Sequence, residues 1–124
     1  MADDDFFYLK DWFTGYRNRF ESKDSQVSAM IDMKVEHSFH VADDCRAIAG
    51  ELGLSGREVH ESAVMGLFHD IGRFQQLAVY GTFSDSKSVN HAELGASILE
   101  EENILGTLGA DVANRLIQAI RLHN

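Results

Sequence analysis

A chain of 124 residues is long enough for one hydrophobic core, and 20 Asp and Glu against 11 Lys and Arg give a formal charge of -9 that repels polyanions, so general nucleic-acid binding and docking on anionic lipid are excluded. The lone cysteine, Cys45, forbids an internal disulfide, no apolar run approaches a membrane span, and the start Met1-Ala2-Asp3-Asp4-Asp5 is the opposite of a basic signal peptide, so the cytoplasm is the expected compartment. Proline is absent, and nothing on that count forbids long helices.

Phe6, Leu9, Phe13, Tyr16 and Phe20 recur at three- and four-residue steps and predict an amphipathic helix over about 5–21, with its aromatic stripe in the core. Ser22-Lys23-Asp24-Ser25 reads as a turn that caps a helix from about Gln26 to Leu52, with a break expected near Asp32-Met33-Lys34. Val41, Cys45, Ile48 and Leu52 are the apolar stripe of its second half, and Gly53 its C-cap. His37 falls at the edge of that stripe, whereas His40 is turned toward the polar side with Asp44 and Glu51. Ser55-Gly56-Arg57-Glu58 has the form of a capping box and opens a helix through Val59, Ala63, Leu67 and Phe68, with His60 solvated in its first turn.

That helix delivers His69 and Asp70, two good metal ligands side by side where an apolar segment meets Gly72, which is expected to end the helix. Neighbours on a helix diverge by about 100° and converge on one ion most easily at a helix end, where the negative pole also favours a cation. Gln75 to Val89, with Gly81, Thr82, Ser84, Asp85, Ser86 and Ser88, is expected to be an ordered, functional loop. Asn90-His91-Ala92-Glu93 is a second capping box and puts His91 at a helix N-terminus, which disfavours imidazolium and keeps the ring ready to ligate. From about Leu108 a last helix runs Val112, Leu116, Ile120 and then His123 along one inward stripe. His37, His69, His91 and His123 thus lie at inward or terminal positions of four helices, and with Asp70 they form a donor set suited to Mn, Fe, Co, Ni or Zn. Five ligands exceed what one tetrahedral zinc uses, so two ions are the natural count.

His37-Ser38-Phe39-His40-Val41-Ala42, His69-Asp70-Ile71-Gly72-Arg73-Phe74, His91-Ala92-Glu93-Leu94-Gly95-Ala96 and Ala119-Ile120-Arg121-Leu122-His123-Asn124 resemble, in order and spacing, successive motifs of the HD superfamily of metal-dependent phosphohydrolases. The resemblance implies an all-α helical bundle of about five to six helices, a single domain over 1–124 with its metal-site core at about 34–124. It implies one or two divalent ions, with a first site of His37, His69 and Asp70, a second of His91 and His123, and Asp70 bridging the two ions of a binuclear centre. The implied chemistry is hydrolysis of a phosphoester in a nucleotide or small phosphorylated metabolite, with Asp70 and Arg73 carrying catalysis, Arg73 and Lys87 holding phosphate, and Tyr80 and Phe83 either stacking a base or packing the loop down. The alternative is a non-catalytic metal- or nucleotide-binding regulatory module. The family's later aspartate lies beyond the final histidine, and Asp85 and Asp111 sit at the wrong motif positions to replace it. The chain is therefore expected to be either a fragment of a longer protein, with bare apolar surface that favours self-association, or a naturally degenerate member of the family, the fragment being the preferred reading.

Overall fold

The three-to-four-residue periodicities resolve into an all-α fold in a computed structural model that describes residues 2–123. Met1 and Asn124, the ends of the acidic start and of the last motif, lie outside the described residues. The helices are α1 (Ala2–Asn18), α2 (Ser25–Glu51), α3 (Gly56–Phe68), α4 (Gly72–Tyr80), α5 (His91–Glu102) and α6 (Ala110–Arg121), with short 3-10 turns at Asp85–Lys87 and Ile104–Leu108. Among the described residues no helix is long and apolar enough to cross a membrane. The chain divides into two compact units, one ending at Phe68 and one beginning at His69.

In the first unit α1 buries Phe6, Leu9, Phe13 and Tyr16, as its stripe predicts, and Phe13 meets the ring of Phe68 on α3 edge-on with centroids 6.0 Å apart. Helix α2 is continuous and has no break at residues 32–34. Asp24 caps it by accepting hydrogen bonds from the amides of Gln26 and Val27 at 2.8 and 3.1 Å. At its other end Gly53 takes the left-handed conformation, φ 74°, and Leu54 N–H reaches back to Ala49 O.

The expected stripe of α2 is corrected. Ile48 and Leu52 are 58% and 71% exposed, and the buried line is instead Ile31, Ser38, Ala42 and Ala49. The reason is the close approach of α3. A Cβ on Gly66 would lie 3.0 Å from Val41 O and 3.1 Å from Ala42 Cα, so only small side chains fit the seam and the larger ones turn outward. His60 is likewise not solvated: its Nε2 is buried without a hydrogen-bond partner and its ring meets Phe6 edge-on, because α1 lies over the start of α3. The Ser55 and Glu58 box forms as expected, with reciprocal bonds of 3.2 Å.

In the second unit Gly72 does not end a helix; it begins α4, and His69 and Asp70 occupy the turn before it. Its lack of a side chain serves packing: a Cβ there would lie 2.3 Å from His91 O and 2.8 Å from Gly95 N on α5. The expected loop is shorter than 75–89, because Phe74, Gln76 and Leu77 form a buried helical face and α4 continues until Gly81, in the left-handed conformation, caps it. Asn90 caps α5 by accepting from the amides of Ala92 and Glu93, and the Glu93 carboxylate receives Arg121 Nε of α6 at 3.0 Å. Helix α6 buries Val112, Ala113, Leu116, Ile117 and Ile120.

Candidate metal centre

Three termini of the second unit converge: the turn before α4, the first residue of α5 and the residue two beyond α6. Asp70 Oδ1 lies 3.3 Å from His91 Nε2 and 3.5 Å from His123 Nε2, and those two ring nitrogens are 3.1 Å apart. The second oxygen of Asp70, Oδ2, is 3.5 Å from His69 Nε2. The Asp70 and His91 side chains are nearly sealed from water.

Hydrogen bonding fixes which ring nitrogens carry protons. His91 Nδ1 is 2.8 Å from Asp85 Oδ2, and an ionised carboxylate can only accept, so Nδ1 donates. His123 Nδ1 donates to the carbonyl of Ile120. With Nδ1 donating, the neutral form of each ring carries its lone pair on Nε2, and in that form two lone pairs and a carboxylate oxygen face one another. A proton can sit between only two of these atoms, whereas a metal cation accepts all three. Donors about 2.1 Å from a shared ion stand roughly 3.0–3.4 Å apart at octahedral to tetrahedral angles, which matches the separations here. Asp70, His91 and His123 can thus hold a divalent metal, and their nitrogen and oxygen donors suit a borderline transition ion.

Asp85 was not expected at the site, and it stands directly behind His91. Burial pushes its carboxyl up, but hydrogen bonds from the His91 ring, the Gln76 amide and the His91 backbone outweigh that and hold it well below the usual carboxylate range. The sequence signal was available: an acidic residue six positions before a ligand histidine at a helix start, in a loop already marked as functional. Arg73 is committed inside the protein, with Nη1 2.8 Å from Gln76 Oε1, 2.6 Å from Phe83 O and 2.9 Å from Asp85 Oδ1.

Lys87 is exposed in the 3-10 turn, and Tyr80 lines a groove of about 280 Å³ with Gln75, Val79, Val89, Asn90, Glu93, Leu94 and Ser97, a groove to which none of the four donors contributes. Phe83 lies under the Arg73 guanidinium, 5.8 Å from ring centroid to charge. Asp111 is exposed in the first turn of α6. His37 is an exposed residue of α2 and belongs to the first unit.

Comparison with known proteins gives one finding. A family model described as the HD domain matches residues 35–124. No curated protein and no solved structure matches the chain.

Proposed function

The chain belongs to the HD domain family, a superfamily of metal-dependent phosphohydrolases, and on that premise we propose that it hydrolyses a phosphoester of a nucleotide or another small phosphorylated metabolite. The observation that carries this reading is the convergence of Asp70 Oδ1, His91 Nε2 and His123 Nε2, with separations of 3.1, 3.3 and 3.5 Å. The family resemblance adds His69 and His37 as ligands. A divalent ion held there would supply Lewis acidity toward a phosphoryl oxygen and would lower the pKa of water so that hydroxide is available near neutral pH.

The protein's own part is to hold and orient. Asp70 turns one oxygen toward His91 and His123 and the other toward His69, the arrangement a carboxylate needs to serve two ligand sets at once. His91 is fixed by Asp85 and His123 by the Ile120 carbonyl, so neither ring must reorient when a ligand arrives. The net charge of -9 disfavours long polyanions and leaves small phosphoesters as the fitting substrates. Lys87 and Tyr80 are proposed to meet the substrate; Arg73, with three protein acceptors around Nη1, is assigned to holding the loop.

The test is elemental analysis of protein purified without chelator, followed by assay against an aryl phosphate and a nucleotide panel, with Asp70→Ala as control. Metal content together with Asp70-dependent phosphate release supports the reading. A metal-loaded protein inert toward every phosphoester would reduce it to a binding module, and one that takes up no metal would remove it.

A further inference from the structure

The two oxygens of Asp85 face different helices. Oδ1 accepts from Arg73 Nη1 at 2.9 Å and Gln76 Nε2 at 3.0 Å, both on α4; Oδ2 accepts from His91 Nδ1 at 2.8 Å and from the His91 backbone amide at 3.2 Å, at the start of α5. The holders are themselves held. Gln76 is fully buried and also donates to Ser88 Oγ at 2.9 Å, and Arg73 also reaches the carbonyl of Phe83. The carboxylate is therefore fixed in position and orientation, with four donors directed at its two oxygens. Asp85 lies outside the four stretches of sequence that carry the resemblance.

We propose that Asp85 is a positioning residue for the metal centre: clamped by Arg73 and Gln76, it keeps the proton of His91 on Nδ1 and so presents the Nε2 lone pair to Asp70 and His123. What the lone pair is for rests on the metal reading above; the proton placement does not. Replacement by asparagine reverses the logic. One oxygen becomes an NH2 group, and the permanently charged Arg73 guanidinium claims the remaining oxygen. The NH2 then faces His91, whose Nδ1 can meet it only as an acceptor, and the ring proton moves to Nε2, into the middle of the donor set.

The experiment is long-range 1H–15N correlation spectroscopy of the histidine rings in the metal-free 124-residue chain at pH about 8, above the ordinary imidazole range, paired with Zn2+ affinity by chelator competition. Wild type is expected to show His91 protonated on Nδ1, and Asp85→Asn to show it on Nε2 with Zn2+ affinity lower by about 10- to 100-fold. Asp85→Glu should return the proton to Nδ1. A wild-type spectrum with the His91 proton on Nε2 overturns the proposal whether or not any variant folds. So does a folded Asp85→Asn protein with unchanged tautomer and unchanged affinity, and in that case the metal reading survives. A tautomer that follows Asp85 in a wild type that binds no divalent ion supports Asp85's hold on the ring and removes the metal reading instead.

Discussion

Gly72 and Gly95 meet backbone to backbone. A Cβ on Gly95 would stand 3.2 Å from Gly72 N, and a Cβ on Gly72 only 2.8 Å from Gly95 N and 2.3 Å from His91 O. Glycine at both places lets α4 and α5 approach closely enough for the turn carrying Asp70 to face the residue that opens α5.

Gly72→Ala should therefore be among the most damaging single-methyl substitutions in the chain. The added carbon meets main chain and not a flexible side chain, so the helices must separate, at a cost of about 3 kcal/mol or more, the upper end for overpacking. Urea unfolding should show this as a lower midpoint, with metal affinity falling alongside because His91 moves with its carbonyl. Gly66→Ala, whose Cβ would meet Cys45 Sγ and Val41 O at 3.0 Å, should cost less and leave metal affinity in place.

Metal should stabilise the fold. A divalent ion at a hundred times its dissociation constant adds about 2.7 kcal/mol of unfolding free energy, a rise in melting temperature on the order of 10 °C for a chain of this size. Calorimetry with Zn2+ or Mn2+ and then with EDTA checks it. Asp70→Ala or His123→Ala should abolish most of the shift, and a melting temperature indifferent to both ion and chelator would contradict the centre.

Asn90→Ala removes the acceptor for the amides of Ala92 and Glu93 at the first turn of α5. The expected loss is about 1 kcal/mol, the usual worth of such a cap. Denaturant titration measures it, and Asn90→Asp should retain most of the stability because a carboxylate caps equally well and suits the helix pole.

Cys45 should be a slow thiol. Burial pushes its pKa above the ordinary 9.0 and the neighbouring Asp44 pushes the same way. Alkylation by iodoacetamide at pH 8 should run several-fold slower than on a free thiol in solution. Because the folded value is raised, the contribution to stability is fully present below the unfolded pKa and is lost as pH climbs through the folded one, above 9. The wild-type loss of stability on going to pH 10 should accordingly exceed that of Cys45→Ala.

Much of this was legible in the sequence because helices announce themselves by periodicity. The aromatic stripe of α1, the Ser55–Glu58 box and the cap at Asn90 fold as their residues predict, and Asp70, His91 and His123 come together. What periodicity could not give is which of two adjacent stripes wins. On α2 the larger side chains at Ile48 and Leu52 suggested the buried face, but the glycine of the partner helix set the spacing and selected Ser38, Ala42 and Ala49. Gly72 misled for a related reason: a glycine demanded by close approach looks in sequence like a glycine demanded by a helix end. Asp85 went unassigned because its spacing from His91 gives only a local hint, and the hold that Arg73 and Gln76 place on it from 12 and 9 positions away is written in no local pattern.

The donors are unequally covered. His91 and Asp70 expose only 5% and 7% of their side chains, while His123 exposes 25%. Water reaches the centre past His123, which makes that ring the last to close over an arriving ion and the first to release one. Substitutions there should be felt most in how quickly one ion exchanges for another.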